Sequence, residues 1–220
     1  MAKTLENSLG YTHKTFSAEY IPVDQINFYL LAGFYWDGGK LSKQHFDASD
    51  LNIRILKMFT KKMVLHLRDP RDVLLSWVHH MNFVKKQGLD LFYFDPQPPA
   101  GYYNLSFSEQ IDWNIENFLP NSIDWINKWL KVKEQEDLSE DGLNILITTH
   151  DELVKDELGL YSKILSFYGI PSNQLKFEPA KKNDEVRFRQ GTKGEWHTAL
   201  TERQKKRVSE IIPDSLLKKV

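Results

Sequence analysis

The segment Met63–His80, MVLHLRDPRDVLLSWVHH, constrains this chain more than any other stretch. Met63–Leu67 is apolar on both faces, as a strand buried inside a parallel sheet requires. From Asp69 to about Lys86 the pattern turns helical. Asp69 can cap the helix, Pro70 fits its first position and Asp72 puts a carboxylate into the first turn. Val73, Trp77, Met81 and Val84 form the apolar stripe. Strand, tight turn and helix therefore meet at Arg68. Open α/β sheets bind ligands at the carboxyl ends of their strands, and a helix turns unpaired N–H groups and its positive end toward the same place. Arg68 adds a bidentate donor, and Ser76 a hydroxyl two turns into the helix. A phosphate suits that set. The competing reading pairs Arg68 with Asp69 or Asp72 and leaves Ser76 merely packed.

Elsewhere, strands alternate with helices. Ala2–Leu9 has helical spacing and stops at Gly10. A helix is predicted over Asp24–Phe34, capped by Asp24 and closed at Gly38-Gly39, then a short strand over Lys40–Phe46. Gln87–Asn104 is rich in aromatics, Pro and Gly and reads as the longest loop, a candidate lid or acceptor-binding segment. Helices over Ser108–Leu119 and Ser122–Lys131, separated by Pro120, precede an apolar strand over Leu143–Thr148. A helix then runs to Tyr168 and ends at Gly169. Asn183–Thr198 is a polar, basic loop. The last helix is capped by Thr201, with Gln204 at capping-box spacing. This alternation implies an α/β fold with a covered parallel sheet, and nothing reads as a repeat or a domain linker, so one domain over residues 1–220 is expected.

Composition narrows the classes. The formal net charge of -1 and the scattered Lys and Arg speak against nucleic acid as a partner, which would require a basic face. The chain has no cysteine, which excludes disulfides, thiolate metal sites and a cysteine nucleophile. The histidines are not spaced as a metal set, so no metal is expected. No apolar run is long enough to span a membrane and the first ten residues lack signal-peptide character, so a cytoplasmic location is expected.

Three further segments support the anion reading. Arg187–Trp196, RFRQGTKGEW, interleaves basic residues with glycines that let backbone amides approach a phosphate. Lys43-Gln44-His45, on the short strand before Arg68, offers an imidazole that can take a proton and an ammonium that can offset developing charge. His150-Asp151-Glu152-Leu153 follows a strand, although helix capping by Asp151 would explain it equally well.

These segments, in this order, resemble the nucleotide-dependent sulfotransferase family. There, an Arg ending a strand and a Ser eight residues later contact the 3′-phosphate of 3′-phosphoadenosine 5′-phosphosulfate, which would be the roles of Arg68 and Ser76. Arg189, Gly191, Gly194 and Trp196 match the family's C-terminal Arg-Lys-Gly-x-x-Gly-Asp-Trp loop, with Gln190 in place of its Lys and Glu195 in place of its Asp. Lys43 and His45 match its Lys-Thr-His, where the His is the base on the acceptor hydroxyl and the Lys supports the departing oxygen. His150 falls where the family carries a Tyr near the adenine. The resemblance implies a three-layer α/β fold with a central parallel sheet flanked by helices, like that of P-loop nucleotide hydrolases. It implies transfer of a sulfuryl group to an acceptor that is a small molecule, glycan or lipid.

The family's opening strand and Lys-Ser-Gly-Thr-Thr-like phosphosulfate loop have no counterpart. Thr12–Ser17 has a Lys and hydroxyls but no glycine and no strand before it. Leu5, Leu9, Gly10 and Tyr11 resemble the end of the helix that follows that loop, so the expectation is a chain that starts after the loop and lacks the first strand. Two other readings compete. One is a non-catalytic module that kept the 3′-phosphate site and lost the transfer loop; the other is a nucleotide kinase of the same architecture.

Overall fold

The computed structural model describes residues 1–16, 25–36, 38–88, 94, 96–178 and 193–220. Among these, the elements in chain order are α1 (Ala2–Leu9), β1 (Thr12–His13), α2 (Phe28–Trp36), β2 (Lys40–Leu41), α3 (Asp50–Phe59), β3 (Lys62–Leu67), α4 (Pro70–Lys86) and α5 (Phe107–Asn117). There follow α6 (Leu119–Asp137), β4 (Asn144–Thr149), α7 (His150–Lys155), α8 (Glu157–Tyr168), α9 (Trp196–Ala199), α10 (Glu202–Ile211) and α11 (Asp214–Leu217). The expected α/β class with parallel strands is what the chain adopts. β1 pairs with β2 in parallel, Thr12 opposite Lys40. β3 pairs with β4. The Asn144 N–H donates to the Lys61 carbonyl at 2.8 Å at one end, and His66 Nδ1 meets Thr148 Oγ1 at 2.9 Å at the other, so these strands also run in one direction.

Contacts divide the chain into two compact units: Met1–His66, Lys128–Thr148 and Lys155–Lys182 in the first, Leu67–Asn127, Thr149–Val154 and Asn183–Val220 in the second. In the first unit, α1 stops at Gly10, which takes φ 66°. A left-handed end of this kind suits a residue without a Cβ. Ser8 in α1 receives two backbone N–H groups from far along the chain, Lys176 on its carbonyl at 3.0 Å and Glu178 on its hydroxyl at 2.9 Å.

Three expectations in this unit need correction. Helix α2 starts at Phe28 because the Asn27 side chain accepts the N–H groups of Tyr29 (3.0 Å) and Leu30 (3.1 Å); Asp24 lies outside the described residues. The strand expected over Lys40–Phe46 is only two residues long. Lys43, Gln44 and His45 therefore lie on irregular chain, not on a strand. Side chains hold that chain instead of a ladder: Gln44 Oε1 accepts the Phe16 N–H at 3.2 Å, and the buried Trp129 indole donates to the Phe46 carbonyl at 3.2 Å. Finally, α3 goes unannounced by the spacing rules applied above. Ser49 caps it and Asn52, fully buried, joins it to Asp47 and Ile26.

The second unit is built on α4, which runs as expected from Asp69 as cap through Pro70. Its buried face is Leu74, Leu75, Val78, Met81 and Val84, while Val73 and Trp77 are only half-buried, so the stripe is turned by about one residue from the expected one. α5 begins with a capping box between Ser106 and Glu109, and Pro120 sits in the first turn of α6 rather than separating two helices; a first turn tolerates Pro because its N–H has no intrahelical partner. Of the aromatic loop, Phe94 and Tyr102 are buried against Met81 and Val84, so these two rings belong to the core. The capping box of α10 is present, and Gln204 also donates to the Ser108 carbonyl at 2.9 Å, joining α10 to the start of α5.

Candidate functional site

β3 delivers Arg68 to the turn that precedes α4. Neither of its expected acidic partners takes it. Asp69 caps α4 by accepting the Arg71 N–H at 2.9 Å, and it holds the Arg71 guanidinium through Nε at 2.8 Å and Nη2 at 2.6 Å. The Asp72 carboxylate points elsewhere. Arg68 Nε is left buried without a hydrogen-bond partner. A desolvated guanidinium N–H with nothing to donate to is costly unless a ligand supplies the acceptor. An anionic ligand could supply that acceptor. The backbone is a smaller contributor than expected: the first amides of α4 are engaged by Asp69, those of Arg71 by its side chain and those of Asp72 and Val73 by its carbonyl. For any anion bound at this turn, side chains are the donors left to hold it. Ser76 is exposed on the same helix, two turns on.

The tail turn comes to this place. Asp72, 3% exposed, accepts the N–H of Gly194 at 2.9 Å and that of Trp196 at 3.4 Å. Arg71 lies over the Trp196 ring, 4.0 Å from its centroid, and the His197 ring stacks on the same indole. Gly194 takes φ 74°, and a Cβ there would meet the His197 ring at 3.1 Å, so a residue with a side chain would strain the turn. Lys193 forms an ion pair with Asp151, which raises the pKa of the lysine. The cap of α7 is Thr149 with Glu152, not Asp151: the Thr149 N–H donates to Glu152 at 2.8 Å and the Glu152 N–H to Thr149 Oγ1 at 3.2 Å. Asp151 is thereby left to anchor the tail.

Three segments far apart in sequence therefore meet within the second unit: the Arg68–Asp72 turn, the start of α7 that carries His150, and Lys193–His197. Arg189, Gln190 and Gly191 lie outside the described residues. Asp72, Arg71 and Lys193 were missed as contributors by sequence reasoning. Asp72 read as a first-turn carboxylate, and nothing local marks a carboxylate that will accept amides 122 residues away.

Lys43 and His45 belong to the first unit, both exposed. His45 keeps solvent access while the surrounding chain crowds its ring. Burial first, and the Lys43 ammonium second, lower its pKa from 6.5 to about 4. The imidazole is neutral at pH 7, the form that can accept a proton. Three more histidines act in packing: His66 in its bond to Thr148, His79 tilted against Phe107 and His80 against Trp77 and Phe94. Among the described residues, no group of His, Asp and Glu could hold a metal, and no helix is long and apolar enough to cross a membrane.

Residues 40–219 match the model of the sulfotransferase domain. No curated protein matches the chain. Among solved structures it is similar to mouse sulfotransferase SULT7A1 complexed with PAP, with a TM-score of 0.58 and 14% identity over 96% of this chain and 78% of that one. It is also similar to retinol dehydratase in complex with androsterone and inactive cofactor PAP, with a TM-score of 0.57 and 20% identity. That match covers 87% of this chain and 57% of retinol dehydratase. At such identities the likeness is one of fold.

Proposed function

The chain belongs to the sulfotransferase domain family, and on that premise we propose that it is one sulfotransferase domain that moves a sulfuryl group from 3′-phosphoadenosine 5′-phosphosulfate to a hydroxyl or amine of an acceptor. The observation that carries this reading is the buried, partnerless Nε of Arg68 at the tip of β3, beside a turn to which the tail is tied. Arg68 and Ser76 would donate to the 3′-phosphate, with Arg189, Gln190 and Gly191 completing that side and His150 lying toward the adenine. The nucleotide supplies an activated sulfur and a phosphate leaving group. His45, neutral at pH 7, would take the proton from the acceptor oxygen as that oxygen attacks sulfur, and Lys43 would offset the charge on the bridging oxygen as its bond to sulfur breaks. In-line phosphoryl transfer distributes charge in the same way. The acceptor is a small molecule, glycan or lipid, and the place of action is the cytoplasm; the near-neutral charge supports a partner other than nucleic acid.

The test is a calorimetric titration with 3′-phosphoadenosine 5′-phosphate and with adenosine 5′-phosphate, beside a radiolabelled sulfuryl-transfer assay. The 3′-phosphorylated nucleotide is expected to bind the tighter of the two. Arg68→Ala should weaken it roughly ten- to hundred-fold, the loss of one charge-assisted interaction. Equal binding of the two nucleotides rejects the reading; tight binding without transfer to any acceptor favours a non-catalytic nucleotide-binding module.

A further inference from the structure

Resting on the nucleotide reading above, we infer that Asp72 is a positioning residue for the 3′-phosphate subsite: it holds the Gly194–Trp196 turn against the first turn of α4, four residues from Arg68. A first-turn aspartate usually faces water and complements the helix dipole. Asp72 does not. It is 3% exposed, and a carboxylate this buried must have its lone pairs occupied. Its occupants are two backbone N–H groups of the tail, Gly194 on one oxygen and Trp196 on the other. Charge-assisted bonds to backbone amides fix the turn's position regardless of which side chains it carries.

Two more contacts locate the same turn independently. Arg71 covers the Trp196 ring while its guanidinium is itself locked by Asp69. Lys193 is paired with Asp151, the neighbour of His150. Cation–π and exposed ion-pair contacts are each modest. Asp72 is the member whose loss leaves donors stranded: without it, two half-buried N–H groups lose their charged acceptor and the turn loses its strongest tie. The residue therefore acts on the nucleotide through the tail turn and touches no phosphate itself. The consequence is specific. Undocking the turn should remove preference for the 3′-phosphate, whereas a carboxylate that served only stability would lower the melting temperature and the active fraction without changing what the folded molecules prefer.

The experiment compares affinities for 3′-phosphoadenosine 5′-phosphate and adenosine 5′-phosphate in the full chain and in Asp72→Asn, which keeps size and one acceptor oxygen. The variant should lose roughly ten-fold or more of the preference, the effect of one charge-assisted bond, with its adenosine 5′-phosphate affinity little changed. Gly194→Ala provides the same test from the other partner, on a half-buried turn outside the core, and covers the case in which Asp72→Asn does not fold. It should reduce the preference in the same sense. A preference retained by both variants overturns the inference and leaves the nucleotide reading intact. No preference in the unaltered chain overturns the nucleotide reading, and the inference with it.

Discussion

His45 carries the clearest pH signature at the scale of single residues. Its folded pKa, about 4, lies below the ordinary 6.5, so the folded state favours the neutral ring. Below pH 6.5 the unfolded chain binds this proton more readily than the folded chain. The contribution to stability is therefore complete above pH 6.5 and is lost as the pH falls toward 4. Urea midpoints measured between pH 7 and pH 4 should decline, and His45→Gln should flatten the His45 part of that slope. Lys43→Ala removes the second cause of the depression, so the imidazole should titrate at higher pH, which the ring proton resonances would report. Arg68 lies at the opposite extreme of legibility. Its place at a strand tip could be read from the residues around it. That Asp69 would choose Arg71 and Asp72 would choose backbone amides could not, because three acidic and basic neighbours within a few residues allow several pairings of similar energy.

The elements themselves test whether local signals carry their expected energies. Helix α10 is held at its start by the Thr201–Gln204 capping box, and Gln204 is 1% exposed with its amide also on Ser108. Gln204→Ala should cost about 1–2 kcal/mol in chemical denaturation, because the capping box and the bond from the buried Gln204 amide to Ser108 are lost together. Arg207, half-buried on the same helix, reaches Asp112 and the more exposed Glu116. Its removal should cost less, about 1 kcal/mol or below. The irregular segment Ser42–Phe46 depends on Trp129, whose indole N–H holds the Phe46 carbonyl. Trp129→Phe keeps most of the apolar volume but leaves that carbonyl without its donor. It should lower stability by about 1–3 kcal/mol and, under the proposed roles of Lys43 and His45, impair transfer more than nucleotide binding. Helices such as α4 and α10 were legible because caps, proline and apolar spacing agree. α3 was harder: Leu51, Ile53 and Ile55 alternate as in a strand, and only the burial of Asn52, Ile53 and Leu56 shows the helical face.

At the scale of the whole molecule, the contacts that matter join residues far apart in the chain. Ser8 is the clearest case, receiving N–H groups from Lys176 and Glu178. Ser8→Ala removes the hydroxyl acceptor from a residue 2% exposed, and the melting temperature should fall by several degrees, as expected for a loss near 1 kcal/mol in a chain of this size. The convergence of Arg68–Asp72, His150–Glu152 and Lys193–His197 is of the same kind. The order of those segments along the chain was enough to suggest one site, and all three are joined through side chains, Asp72, Arg71 and Lys193, that the sequence did not single out.

What the residues determined by themselves is local. A mostly apolar strand over Met63–Leu67, a proline-started helix and a glycine-closed turn follow from backbone geometry and nearest neighbours, and these make the α/β class and the sulfotransferase resemblance readable. Tertiary structure alone decided that Lys43–His45 is not a strand, that Asp72 faces inward to hold the tail, and that Arg68 keeps a buried N–H without an internal acceptor. Such outcomes depend on which partner arrives from a distant part of the chain and on whether water is excluded when it does, and a short sequence window contains neither.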